Sequence, residues 1–156
     1  MEFMIRRAEH SDVEELVELR MALLQEVGGL TNKTEIETVS HANKMYYEKH
    51  LKSEEYISFV AESQGKLIAT SGLIIINRPP YLHNLLGMDA YIMNVYTIPT
   101  YRGNGIATAL LDSCIEFAKN NHVGRIILTA SADGLPVYEK RGFKRKSSAM
   151  ELVLNG

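Results

Sequence analysis

The sequence predicts a mixed α/β (α+β) domain, a sheet with helices packed on it. Three observations carry that prediction. Helix-like and strand-like periodicities alternate along the chain. The strand–turn–helix–strand run over residues 91–129 demands a parallel strand pair joined by a right-handed crossover. Two neighbouring strand segments over residues 56–77 are separated only by Ser63-Gln64-Gly65, which folds them into an antiparallel hairpin. The 156 residues, 46% hydrophobic and 23% charged, suit a single domain over residues 1–156.

Element by element, Phe3–Arg7 reads as a first strand. Ser11-Asp12-Val13-Glu14 has the form of a capping box. Val13, Leu16, Val17, Leu23, Leu24 and Val27 then recur at helical spacing until Gly28-Gly29. Residues 34–51 form a second helix with a sparser apolar face. Strands follow at 56–62 and 66–77, then Arg78-Pro79-Pro80 opens a loop that runs to Asp89. Residues 91–98 make a strand ended by Pro99, and residues 104–120 a helix with Ala107, Leu110, Leu111, Cys114, Phe117 and Ala118 on one face. A strand at 125–129, a short helix at 135–141 and two closing strands at 143–146 and 149–154 complete the reading. The last alternates Met150, Leu152 and Leu154 on one side.

Seventeen basic against nineteen acidic residues give a net charge of −2, so the basic excess of a duplex-wrapping or membrane-surface protein is missing. The expectation is no nucleic-acid and no membrane partner. The first residues have no apolar run like that of a secretory leader, and the longest apolar-rich stretch, 67–76, is short of the roughly 20 residues a membrane helix needs. One cysteine, Cys114, excludes an internal disulfide, and no Cys/His zinc pattern exists, so no metal is expected. A cytoplasmic protein follows. Lys144-Arg145-Lys146 reads as a solvated cluster, and Cys114, on an apolar helix face, as a buried small hydrophobe.

The chemistry concentrates in the stretch from Tyr91 to Ala107. A strand enters a turn, Arg102-Gly103-Asn104-Gly105, that opens directly into a helix. Free amides at a helix start converge on one spot where the dipole favours anions, and Gly103 and Gly105 let a bulky anion approach the backbone. Arg102 adds a positive charge. The arrangement suits a pyrophosphate. A bare glycine turn without ligand is one reading. A dinucleotide site is another, although Thr108 takes its third glycine position and no acidic residue follows about 20 residues on. A phosphate-binding loop lacks its Gly-Lys-Ser/Thr. A coenzyme A site is the fourth.

Arg102-x-x-Gly105-x-Ala107, after Val95-Tyr96-Thr97-Ile98-Pro99 and opening a helix, resembles the coenzyme A signature of the GCN5-related N-acetyltransferases. Val137-Tyr138-Glu139-Lys140-Arg141-Gly142-Phe143 is similar to that family's second block, and Ile5-Arg6-Arg7-Ala8-x-x-x-Asp12 to its opening. The resemblance spans the chain. It implies a mostly antiparallel sheet with a central, splayed parallel pair, and acetyl-coenzyme A as cosubstrate. Val95, Tyr96 and Thr97 would pair with the pantetheine arm, and Val95 would donate to the acetyl carbonyl. Arg102, Gly103, Asn104, Gly105, Ile106 and Ala107 would hold the pyrophosphate. Ser131 sits where relatives often carry asparagine.

The implied reaction is acetyl transfer to a primary amine, on a small molecule or a peptide. Tyr138 stands at the position of the general acid. The glutamate that many relatives place two residues before Val95 is Met93 here, so the base is open. Asn94 could position substrate or water, and Glu35, His83 and Asp89 are the distant candidates for the base. Acceptor recognition is expected from the first two helices and the 77–89 loop, with Tyr81, Leu82, Leu85 and Leu86 as lining. A non-catalytic acyl-coenzyme A-binding module on the same fold is the alternative, and a homodimer is left open.

Overall fold

A computed structural model describes residues 1–146 and 148–155. Among them, five strands form one sheet in the order β1 (Met4–Arg7), β2 (Ile57–Ser63), β3 (Lys66–Asn77), β4 (Met88–Thr97) and β5 (Arg125–Leu128). The first four pair antiparallel, and β4 with β5 parallel. The period-two alternation divides the core. Tyr56 and Val60 turn to one face, where α1 (Val13–Glu26) and α2 (Lys33–Ser53) cover them. Ile57 and Ala61 turn to the other, against α3 (Ile106–Asn120), which makes the crossover from β4 to β5. The last helix, α4 (Leu135–Lys140), leans on the β5 side of that second core through Val137 and Tyr138.

The expected cap at Ser11 is displaced. A 3-10 turn, His10–Asp12, precedes α1, and Asp12 rather than Ser11 does the capping by accepting from the Glu9 amide at 2.7 Å. The reason is Arg6. Its guanidinium forks onto both Asp12 oxygens at 2.8 and 2.9 Å and onto Glu62 at 2.7 Å, tying β1, the turn and β2 together. That fork holds the Asp12 carboxyl below the usual carboxylate range.

β4 begins earlier than its sequence suggests, at Met88 rather than Tyr91. Asp89 is 0% exposed and belongs to the strand. Arg78 reaches its Oδ2 at 2.7 Å and Arg125 at 2.6 Å, while Asn84 donates to Oδ1 at 3.1 Å. One carboxylate therefore pins the end of β3, the 78–87 loop, the start of β4 and the start of β5. A candidate base so gripped is unavailable for chemistry, which removes Asp89 from that role. The loop it anchors sits at the opposite end of β4 from the Arg102 turn. Its Leu82, Leu85 and Leu86 point into solvent instead of lining a site near that turn.

The two closing strands expected at 143–146 and 149–154 are not formed among the described residues. Beyond Phe143 the chain continues without strand, helix or turn, and its side chains are exposed. A strand needs a ladder of backbone hydrogen bonds, and among the described residues beyond Phe143 none is formed.

Asp89→Asn keeps the shape but leaves two arginines facing a neutral amide. The substitution should cost about 2–3 kcal/mol in denaturant unfolding, at the low end for a broken buried pair because both arginines are partly solvated. The two arginines hold the Asp89 pKa below its unfolded value of about 3.9. The wild-type advantage over Asn should thus be full above that value and fade as pH falls below it, which a pH series of urea melts reads directly.

Candidate functional site

β4 serves two neighbours for only part of its length. Its pairing with β5 ends at Ile92–Leu128. On the other side, Met93 faces Gly72 and Tyr96 faces Thr70, so Asn94 and Val95 together oppose Ser71. This is a bulge, with Asn94 at φ +56°, a left-handed conformation that an L residue tolerates only when held.

The hold is visible. Asn94 Nδ2 donates to the Tyr47 hydroxyl at 2.8 Å and to the Tyr56 hydroxyl at 3.0 Å. Tyr47 comes from α2 and Tyr56 from the entry to β2, and both are buried. The Tyr56 ring lies across Gly72, where any added Cβ would collide with its hydroxyl and ring. Burial raises the pKa of both phenols, so they stay neutral. Asn94 Oδ1 is buried and has no partner. Sequence reasoning singled out Asn94 but missed the tyrosines. Both precede β2 and lie 47 and 38 residues from Asn94, so no short-range pattern ties them to it.

Beyond the bulge, residues 93–97 have no strand on the β5 side. A cleft of about 100 Å³ opens there, lined by Ile92, Val95, Ala107, Leu111, Ser131 and Tyr138 among others. Of the expected site residues, Val95, Ala107, Ser131 and Tyr138 are thus brought together. Ser131 also shapes the turn before α4, its Oγ accepting from the Gly134 amide at 3.2 Å. Burial raises the Tyr138 pKa, and its ring packs edge-on to Phe143. A wider depression of about 360 Å³ on the outer side of α3 is rimmed by charged residues, including the Arg141–Asp112 pair, and offers no reactive constellation.

The cleft runs to the start of α3. Gly103 and Gly105 have φ of +82° and +78°, and the space where a side chain would stand is open at both. None of the amides from Gly103 to Thr108 has a protein acceptor among the described residues. Six unsatisfied donors at one helix start fit a pyrophosphate. Asn104 folds back onto the carbonyl of Tyr101 at 2.9 Å and shapes the turn.

Arg102 departs from expectation. Its guanidinium forks onto Glu26 at the end of α1 at 2.8 and 3.0 Å, and its Nε donates to Thr97 O at 2.9 Å. It braces the turn against α1, its charge shared with a carboxylate that this contact holds below the usual range. Tyr96 turns to the α1 side, with Arg102 over its ring, and is buried away from the cleft.

The match to a family model, the acetyltransferase (GNAT) family, covers residues 14–143. The chain belongs to that family. Over 96 residues it is 29% identical to a glucosamine 6-phosphate N-acetyltransferase of Trypanosoma brucei brucei, covering 62% of this chain and 63% of that one. Over 102 residues it is 30% identical to N-alpha-acetyltransferase 30 of Schizosaccharomyces pombe, covering 64% and 65%. The chain thus aligns with somewhat under two thirds of the length of these curated relatives. Among solved structures, a predicted acetyltransferase of Clostridium acetobutylicum with acetyl-CoA superposes at a TM-score of 0.86, with 34% identity, covering 97% of this chain and 96% of that one. The GNAT sheet, mostly antiparallel with one parallel pair, is the fold predicted from sequence.

Gly105→Glu would place a carboxylate at the unsatisfied amides and force a side chain into a left-handed position. Calorimetry should show acetyl-CoA binding weakened at least tenfold in a protein that still melts cooperatively. Unchanged affinity would move the anion site elsewhere.

Proposed function

We propose that this chain is an acetyl-CoA-dependent N-acetyltransferase, one GNAT domain over residues 1–156, acting in the cytoplasm on a primary amine of a small molecule or peptide. The observation that carries the reading is the row of unsatisfied amides, Gly103 to Thr108, opening onto a cleft that ends at Tyr138. In addition, no helix among the described residues is long and apolar enough to cross a membrane.

The thioester supplies the acetyl group. Gly103, Asn104, Gly105, Ile106 and Ala107 hold the pyrophosphate through backbone amides, and Arg102 stiffens the turn. Val95, Tyr96 and Thr97 have no strand neighbour on the β5 side, and the extended arm adds there as a strand does to an edge. The Val95 amide stabilises negative charge on the acetyl oxygen, a role worth roughly 3–4 kcal/mol per donor. Ser131 contacts the arm.

The Tyr138 hydroxyl protonates the departing thiolate. Burial keeps it in the neutral, proton-bearing form well above neutral pH. Asn94 is a positioning residue: bonded to Tyr47 and Tyr56 on the α1–α2 side of β4, it holds the bulge beside Val95, which lines the cleft. No carboxylate lies on β4 beyond Asp89, Glu35 is taken up by the Thr31 amide and hydroxyl at the start of α2, and His83 is exposed in the loop at the far end of β4, so the amine enters already neutral or loses its proton to solvent.

Thiol release measured across a panel of amines, with glucosamine 6-phosphate and peptide N-termini included, tests the reading. One or more amines should drive stoichiometric release, whereas tight coenzyme A binding with no acceptor-dependent release would reduce the chain to a binding module. Tyr138→Phe should lower kcat by roughly 10²–10⁴-fold with little change in acetyl-CoA affinity. The wild-type kcat/KM should rise with pH along the acceptor's own ionisation. The raised Tyr138 pKa predicts no falling limb below about pH 10. An ionisation that stays fixed while amine basicity changes would contradict the absence of an enzymic base.

A further inference from the structure

Three side chains lining the cleft carry a hydroxyl: Ser71, Ser131 and Tyr138. Tyr138 serves the departing sulfur, and Ser131 Oγ already accepts from the Gly134 amide. The third hydroxyl belongs to β3. Ser71 is 3% exposed, and its side chain turns to the α3 face of the sheet, where Oγ meets Cys114 Sγ at 3.5 Å. No other hydrogen bond reaches Ser71 Oγ among the described residues.

A thiol is a weak hydrogen-bond acceptor. Burial pushes the Cys114 thiol up to about 11, so it stays neutral and does not become the thiolate that would accept well. The Ser71 proton therefore has no strong acceptor within the protein. A hydroxyl taken out of water without one costs stability. Around it the cleft wall is apolar, with Ile92, Val95, Leu111 and Val137. What the hydroxyl lacks, a ligand must supply.

Position selects the atom. The bulge sets Asn94 and Val95 together opposite Ser71, so this hydroxyl stands across the ladder from the residue whose amide serves the acetyl oxygen. Its neighbour Cys114 is close to Tyr138 as well, adding to burial in raising the Tyr138 pKa. Ser71 is thus at the thioester end of the arm. There the sulfur is a weak acceptor and the carbonyl oxygen a good one.

We propose that Ser71 is a further catalytic residue, its hydroxyl donating to the acetyl carbonyl oxygen beside the Val95 amide. The inference rests on the reading of the cleft as the acetyl-CoA site. As the amine lone pair forms the new N–C bond, the carbonyl π pair moves onto oxygen, where hydroxyl and amide bear the charge. When the C=O bond re-forms, the C–S bond breaks and its pair leaves on sulfur, which takes the Tyr138 proton. The ammonium proton of the intermediate goes to solvent, and solvent returns one to Tyr138. Ser71 keeps its proton throughout.

The test reads the carbonyl itself in the full chain. Acetyl-CoA isotope-labelled at the acetyl carbonyl is bound, and its infrared band is recorded. The band should move to higher frequency in Ser71→Ala, which removes the donor. It should stay at the parent position in Cys114→Ala, which removes the thiol and keeps the hydroxyl. Ser71→Ala should also lower kcat by roughly 10²-fold, with acetyl-CoA and coenzyme A affinities near the parent's. Ser71→Cys, similar in size but a weak donor, should behave alike and replaces the alanine variant if that one does not melt cooperatively. An unmoved band or a parent-level kcat in a folded Ser71→Ala protein overturns the proposal, while parent binding and turnover keep the acetyltransferase reading. Equal kcat losses in Ser71→Ala and Cys114→Ala also overturn it, making the pair a packing contact. A parent chain that does not bind acetyl-CoA overturns this inference together with the reading beneath it.

Discussion

The pairing of β4 organises the molecule. At its start, Asp89 draws in Arg78, Arg125 and Asn84 and locks β5 alongside. Five residues later Asn94 takes a left-handed conformation, the register against β3 slips, and β5 has already let go. Pinned at one end, the two strands stop pairing after Ile92–Leu128, and a gap opens beyond. The cleft and its wall of α4 residues follow from that gap. A buried charge cluster and a strained asparagine are costly features, and both sit at the strand whose shape makes the site.

The asparagine conformation depends on elements far away in sequence. Tyr47 on α2 and Tyr56 before β2 each accept one bond from Asn94, and Tyr56 can do so only because Gly72 leaves room for its ring. The α1–α2 layer thus sets the backbone of β4 from behind, while α3 and α4 build the cleft in front. Arg102 repeats the theme at the far end, joining the glycine turn to Glu26 of α1.

Much of this was legible in the sequence where short-range rules decide. The helix ends at Gly28 and Gly105, the β2–β3 hairpin, the crossover and the glycine turn depend on residues a few positions apart. The motif blocks named Val95, Ala107 and Tyr138, which line one cleft. What was hidden depends on partners distant in sequence. Asp89 read as a loop carboxylate because Arg78 and Arg125 meet it only after folding. Arg102 read as a free cation because Glu26 lies 76 residues away. Periodicity at 149–154 was read as a strand of this chain's own sheet. Alternation suits a pleated face but supplies no pairing partner, and among the described residues this segment has none in a ladder.

The central claim is that the gap beside β4 and the α3 start form one continuous acetyl-CoA site. Backbone hydrogen exchange with and without acetyl-CoA tests it most directly. The account predicts that the amides of Gly103 to Thr108 and those of residues 93–97 slow together on binding, while the Asp89 end of β4 is unchanged. Protection confined to the α3 start, or none in either segment despite saturable binding, would contradict it.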